Sequence, residues 1–371
     1  VRLRAGGDLA GEAEGAAVDG IPLRVELDRA RAWSPEDPFL YDVEYRVTDG
    51  SKRVLDRVDS YAGLRKIHVE GNRLYLNNRP RYLRLVLDQG FYPDGIWTAP
   101  SDEALKRDIE LGLAAGFNGA RLHQKVFEER FHYWADRLGY VTWGEAASWG
   151  CDPNRDDATH AFLCEWRAIL RRDRNHPSII AWTPWNETHD VRDPARHQHA
   201  HREAYALCKA LDPGRPVNDA SGYVHVQTDL WTTHTYVQDP AALAAQLAPG
   251  PEEPVWRSRP KQEPPYAGQP YIVDEFGGIK WVPPDRRPHG EDSWGYGDAP
   301  NTLEAFHQRL AGQVNVLLSF GHIAGYCYTQ LTDVEQEQNG IYNYDRTAKF
   351  DMARIREVFD QVPAGWQPET G

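Results

Sequence analysis

Glu187, closing the run Thr183-Pro184-Trp185-Asn186-Glu187, and Glu275, within Val273-Asp274-Glu275-Phe276-Gly277-Gly278, each stand where an apolar stretch gives way to a polar loop. Cleaving a sugar acetal needs two such acids, one carboxyl to protonate the leaving oxygen and another to attack or stabilise the oxocarbenium-like carbon. The stretches that deliver them, Ser178-Ile179-Ile180-Ala181-Trp182 and Pro270-Tyr271-Ile272-Val273, are short, apolar on consecutive positions and rich in β-branched residues. That is how parallel strands covered on both faces read. In a (β/α)8 barrel such strands present their last residues to one shared mouth. A lone Glu at a strand end is usually solvated or ion-paired; two, each flanked by aromatic residues and by Asn or Gly, point to a working pair.

The elements that must position them alternate from Pro80 onward. Strands are predicted at 81–85, 119–122, 140–143, 179–182, 216–218, 230–233, 271–273 and 323–326. Helices are predicted at 101–115, 128–138, 158–172, 196–211, 303–319 and 348–361, with Ser101 as an N-cap and Gly116 and Gly139 just past helix ends. Eight strands interleaved with helices predict an α/β fold, a (β/α)8 TIM barrel over 63–371. Residues 1–62 read differently. Pro22 to Leu27 and Leu40 to Val47 alternate apolar and polar, the period of half-exposed strands in an antiparallel sandwich. No repeat of 20 to 50 residues is visible, which excludes a solenoid or propeller.

Composition narrows the function classes. The chain has 371 residues, 41% hydrophobic and 26% charged, ordinary for a globular protein. A formal net charge of −13 and the lack of a basic stripe exclude a nucleic-acid partner. No run of 18 apolar residues predicts a membrane span. The 13 Trp and 18 Tyr suit sugar faces, whose C–H bonds pack on aromatic rings, although most must be core. Cys151, Cys164, Cys208 and Cys327 form no Cys-x-x-Cys pair and are expected to be free, buried thiols. Val1 is not Met, so the chain is expected to begin inside a domain, and its compartment stays open.

Taken together, several stretches carry a family resemblance. Arg172-Asp173-Arg174-Asn175-His176-Pro177-Ser178-Ile179-Ile180-Ala181-Trp182, running into Asn186-Glu187, resembles the acid/base signature of glycoside hydrolase family 2. Asp274-Glu275-Phe276-Gly277-Gly278 resembles that family's nucleophile segment. The segment from about Ser60 to Val362 resembles the catalytic barrel of this group, which contains β-galactosidases, β-glucuronidases and β-mannosidases. The link Trp33 to Tyr41 resembles the end of the immunoglobulin-like domain that precedes the barrel, so residues 1–62 are expected to be part of that sandwich, without its early strands or the jelly roll before it.

The resemblance implies Glu187 as acid/base and Glu275 as nucleophile of a retaining reaction, with carboxyls about 5 to 5.5 Å apart. It implies that Asn186 binds the sugar 2-hydroxyl, that Arg121 and His123 line the subsite and support the nucleophile, and that Tyr236, with His234, holds the nucleophile carboxylate. Trp143, Glu145 and Trp149 follow the third strand and are expected to shape the pocket, Glu145 without an assigned role. Asp88, with the residues after it, is expected to line the nonreducing end. Lys125 reads equally as a packed rim residue. The run Glu337 to Arg346 lacks the Asn-x-Lys with which β-glucuronidases hold the sugar carboxylate, which counts against glucuronides.

Two further signals carry less. His197 and His201 have the i, i+4 spacing of a metal pair, but no Glu completes a His-Glu-x-x-His motif, so neither metal nor cofactor is expected. The loop Pro283 to Pro300, with Arg286, Arg287, Trp294 and Tyr296, is either an active-site wall or a rim insertion. The expectation is a retaining exo-β-glycosidase acting on a carbohydrate substrate, β-galactosidase-like. Alternatives are an α-L-arabinosidase or other family 2 specificity, or a non-catalytic carbohydrate-binding fragment. Homo-oligomerisation is left open.

Overall fold

The computed structural model describes residues 1–18, 21–251, 253–286, 293–363 and 366. Four antiparallel strands come first: β1 (Arg2–Ala5), β2 (Asp8–Glu12), β3 (Tyr41–Thr48) and β4 (Val54–Ala62), in the sheet order β2-β1-β3-β4. β3 lies where the alternation of Leu40 to Val47 put it, with Tyr41 and Val43 inward and Asp42 outward. The strand expected over Pro22 to Leu27 does not form. Val25 and Leu27 are half-buried near Gly11 of β2, but Leu23 stays exposed, and among the described residues Asp28 N–H to Ala10 O is the backbone hydrogen bond that ties this stretch to β2, too few for a ladder. The β1–β2 hairpin, in a stretch that reads as Gly-, Ala- and Glu-rich, was not anticipated.

A three-stranded antiparallel sheet follows, β5 (Ile67–Glu70), β6 (Arg73–Leu76) and β7 (Arg79–Arg81). Its Ile67, Leu74 and Leu76 join Leu83, Leu85, Val141 and Ile180 in one buried cluster, closing the amino-terminal end of the barrel strands. Trp33 is fully buried in the same cluster, and its indole N–H donates to Asp136 O at 2.7 Å.

Seven parallel strands form the main sheet: β8 (Leu83–Asp88), β9 (Gly119–Leu122), β10 (Val141–Glu145), β11 (Ile179–Thr183), β14 (Trp231–Thr235), β15 (Tyr271–Gly277) and β16 (Ile323–Thr329). Their order is β11-β10-β9-β8-β16-β15-β14. The remaining gap, between β11 and β14, is filled by the chain around Val217, bridged in parallel to Trp182, and by the short pair β12 (Trp185–Asn186) and β13 (Ala220–Ser221). The Thr232 hydroxyl spans the seam next to β14, accepting from Gly222 N–H and lying within hydrogen-bond reach of Asn218 Oδ1 and Ala220 O. Seven of the eight strand positions read from the sequence are strands of this sheet; at 216–218 only Val217 makes a single bridge.

Strand period decides which side chains meet. Along β8, Leu83, Leu85 and Leu87 enter the barrel interior, while Val86 joins the outer layer against the helices. That outer layer packs α1 (Asp102–Ala114), α2 (Glu129–Leu138), α5 (Pro240–Leu247), α6 (Leu303–Ser319) and α7 (Met352–Phe359) on the strands, while α3 (Asp156–Asp173) and α4 (Pro194–Leu211) share a third cluster with Trp166, Trp182 and Trp185. Ser101 caps α1 through its hydroxyl and Gly139 ends α2 in a left-handed turn. α5 was not foreseen, because its Ala-rich eight residues carry no clear apolar stripe. Leu85, fully buried in the interior, is a position where truncation to Ala should cost about 2–5 kcal/mol. No described helix is long and apolar enough to cross a membrane.

Candidate active site

Arg121, the third residue of β9, is the hub of the barrel mouth, and its side chain has no exposed surface. Its Nε donates to Glu145 Oε2 at 2.7 Å, its Nη1 to Glu275 Oε1 at 2.8 Å, and its Nη2 to Asn186 Oδ1 at 2.7 Å. One planar fork thus fixes residues from the ends of β10, β12 and β15, a task that a point-charge lysine could not perform. Burial by itself would lower the Arg121 pKa, but the carboxylates of Glu145 and Glu275 outweigh it and keep the group a cation. Glu145, the acid left without a role, is the structural counter-ion. Burial pushes its pKa up, yet Arg121 and His123 bring it below the usual glutamate value.

Glu275 is held from both sides. Tyr236 donates its hydroxyl to Oε2 at 2.5 Å, and His234 Nδ1 stands 3.4 Å from the same oxygen. Burial would raise this carboxyl, but the charges of His234 and Arg121 dominate and keep it ionised, well below the ordinary glutamate range. Tyr236 stacks face to face on Tyr296 and also meets the Thr329 hydroxyl at 3.1 Å. That stack needs Gly278, since a Cβ there would lie 2.3 Å from the Tyr296 ring.

Glu187 is the more open acid, its side chain 24% exposed, with Oε1 2.8 Å from His234 Nδ1. Its backbone has φ 52°, a left-handed conformation that costs a non-glycine residue about 1 kcal/mol or more and that surrounding contacts must enforce. Its N–H donates to Ser221 O at 3.0 Å. His234 sits between the two glutamates, and Ser221 Oγ bonds both its Nε2 and Asp274 Oδ2. Burial would lower the His234 pKa, but Glu275, Asp274 and Glu187 outweigh it and raise it above the usual histidine value. The ring also relies on Gly222, whose Cβ would stand 2.6 Å away. One oxygen from each glutamate and a ring nitrogen of His234 all lie within 4.8 Å of one another.

Asn186 Oδ1 is taken by Arg121, whereas its Nδ2 is buried without a partner among the described residues, a donor available to a ligand. His123 Nδ1 lies 3.0 Å from Arg121 Nη2 and 4.0 Å from Glu275 Oε1, completing the group. Glu187, Glu275, Asn186, Arg121, His123, His234 and Tyr236 are therefore gathered in one mouth.

Two expected site residues are not. Trp143 is fully buried in the barrel interior, its indole N–H bonded to the Thr183 hydroxyl at 2.6 Å, and it has no surface for a ligand. Asp88 continues the outward series of Val86; its Oδ1 accepts from Gly90 N–H at 2.8 Å. Burial, reinforced by Asp108, pushes its pKa up to about 7. The inward neighbour, Gln89, is the residue that reaches the site wall, donating to Gln330 Oε1 and Glu337 Oε2. Sequence reading also missed Ser221, a small hydroxyl that no motif marks.

Of the weaker signals, His197 and His201 stack at 4.1 Å and spend their Nε2 atoms on Thr188, His197 on the carbonyl and His201 on the hydroxyl. Lys125 bonds Gly90 O, a packed rim residue. Trp294 and Tyr296 join the wall, Trp294 through backbone bonds to Gln336 and Gln338, while Arg287 lies outside the described residues. All four cysteines are free, Cys208 and Cys327 buried as expected, but Cys151 is half-buried and Cys164 exposed.

Comparison with known proteins agrees with this arrangement. Residues 67–278 match the TIM barrel domain of glycosyl hydrolases family 2, and residues 6–65 match a second domain of that family. A β-galactosidase of Lactococcus lactis is 30% identical over 210 residues, 55% of this chain and 20% of the relative. One from Photobacterium profundum is 28% identical over 273 residues, 70% of this chain and 24% of its own length, so the chain corresponds to under a quarter of such relatives. A β-glucuronidase from Ruminococcus gnavus superimposes with a TM-score of 0.77 at 21% identity, covering 96% of this chain and 62% of that one. A family 2 β-galacturonidase from Eisenbergiella tayi gives 0.72 at 20%, covering 91% and 61%. With its barrel matched over more than half of its length, and with the glutamate pair and its supports assembled at the strand ends, this chain belongs to glycoside hydrolase family 2.

Proposed function

We propose that this chain carries the catalytic centre of a retaining exo-β-glycosidase, β-galactosidase-like in taking a neutral terminal sugar. The observation that carries the reading is the approach of Glu187 and Glu275 to within 4.8 Å, with His234 between them. That approach supports the roughly 5 Å separation of retaining enzymes over the wider spacing with which inverting enzymes admit a water.

In this mechanism Glu275, ionised and fixed by Arg121 and Tyr236, attacks the anomeric carbon while Glu187 protonates the departing oxygen. The aglycone leaves and an ester joins the sugar to Glu275. Glu187, now ionised, takes a proton from water, whose oxygen attacks the same carbon and frees Glu275. Asn186 Nδ2 is the donor for the sugar 2-hydroxyl, a contact that tightens as charge develops.

A neutral sugar is favoured by the wall that carries Glu337. Its carboxyl, gripped by Gln89 and Asn339 and pushed up in pKa by burial, stands near Glu275, and the Arg121 fork is already saturated. A uronate would bring a third carboxylate against this wall, whereas hydroxyls could donate to it. Relatives named β-galactosidase point the same way, and the solved uronidases share the fold.

The reading is tested by following hydrolysis of nitrophenyl β-galactoside, β-glucoside, β-mannoside, β-glucuronide and α-L-arabinoside, with the anomer first released recorded by proton NMR. Turnover of a neutral β-glycoside with the β-anomer appearing first is expected. An α-anomer would refute retention, and a dominant β-glucuronidase activity would refute the neutral sugar.

A further inference from the structure

A groove of about 370 Å³ runs from Asn186 and Glu187 between the loop after β10 and the loop after β12, without touching Glu275, His234 or Tyr236. Nothing in the mechanism above uses its outer part. It is lined by Trp149, 68% exposed, with Asp152 and Asn154 from the loop after β10, and by Asp190 and Arg192 from the loop after β12.

The groove is braced. Asn154 donates from Nδ2 to Asp190 O at 2.8 Å and accepts at Oδ1 from the N–H groups of Arg192 and Asp193. Arg192 in turn pairs with Asp152 at 2.5 Å and with Asp190 at 2.9 Å. Two loops from different strand ends are thus tied into one shape that exists before any ligand arrives.

We propose that this groove is the leaving-group subsite and that it binds a neutral or basic pyranose, so that the substrates are β-linked di- or oligosaccharides. This rests on Glu187 being the acid. The atom that receives its proton is the glycosidic oxygen, so whatever that oxygen still carries must lie on the Glu187 side and away from Glu275. A large exposed indole facing ion-paired and amide groups matches a pyranose, which has an apolar C–H face and a rim of hydroxyls. A purely apolar aglycone would leave the polar side unmatched. The acids Asp152, Asp190 and Glu187 outnumber Arg192, which disfavours an acidic leaving group.

Glycosyl fluorides provide the control, because fluoride is one atom and occupies no groove. Wild type and Trp149→Ala are compared on lactose and on β-D-galactosyl fluoride. The variant should lose on the order of tenfold in kcat/KM on lactose, about 1.4 kcal/mol, while fluoride hydrolysis stays unchanged. Equal loss on both substrates, or none on lactose, overturns the subsite. A binding arm separates this from the catalytic reading: fluorescence titration of Glu275→Gln with lactose and with galactose should show the disaccharide binding more tightly, and Trp149→Ala in that background should abolish the difference. If wild type hydrolyses neither substrate but this preference holds, the catalytic reading fails and the groove stands as a sugar-binding site only. If lactose and galactose bind alike, the subsite fails whatever the turnover.

Discussion

Arginines and carboxylates pair both in the barrel mouth and on the N-terminal sheet, but the two settings give those pairs different meaning. In the mouth, Arg121, Glu145 and Glu275 are at most 5% exposed, and each partner fixes another's position. On the sheet, Arg57 joins Glu44 and Asp59 with side chains 54%, 14% and 67% exposed, and water can replace any of them. The strands contrast in the same way: every residue of β15 and β16 is buried, while β4 shows Val54, Leu55 and Val58 to solvent. A charge network removed from water dictates geometry and fails badly when incomplete; an exposed one adjusts.

Four substitutions would break or sharpen that contrast. Glu275→Ala should lower kcat/KM by about 10⁴-fold or more, in line with losing a nucleophile, measured on the neutral glycoside the panel selects. Arg121→Met should come next, leaving two buried carboxylates without their cation at a cost of about 3–5 kcal/mol in urea unfolding; a loss below about 1 kcal/mol would mean that water reaches the network.

Asp88→Asn tests a buried acid outside the mouth. Its folded pKa of about 7 lies above the unfolded value, so ionisation costs the fold stability as pH rises through that interval. The variant should therefore gain on wild type by about 2 kcal/mol between pH 5 and 8 with turnover preserved; a large fall in turnover would return Asp88 to the substrate site. Arg57→Ala, at the exposed extreme, should leave the melting temperature within measurement scatter. A clear drop there would remove the distinction between the two regions.

Much of the scaffold was legible because its signals are local. The apolar runs at Ile179 and Tyr271 and the Ser101 cap act within a few residues, and all three are realised. A side chain's direction is not such a local signal. Trp143 and Asp88 both sit on barrel strands near the mouth, but Trp143 is buried in the interior core and Asp88 bonds Gly90 N–H beside Asp108 of α1. Pro22 to Leu27 has the right alternation but lacks the backbone ladder to a neighbouring strand that would make it one.

By itself, the sequence determined the order of strands and helices and the two acids that end strands, because backbone preference and hydrophobic period are written in neighbouring residues. The family resemblance of its motifs also implied Arg121, His234 and Tyr236 as site residues. Only the tertiary structure decided that Glu145 neutralises Arg121, that Ser221 and Asp274 seat His234, and that Gln89 rather than Asp88 meets Glu337. Those partners come from different strands, and which side chains converge is set by the closure and register of the whole sheet, a long-range condition that no short segment encodes.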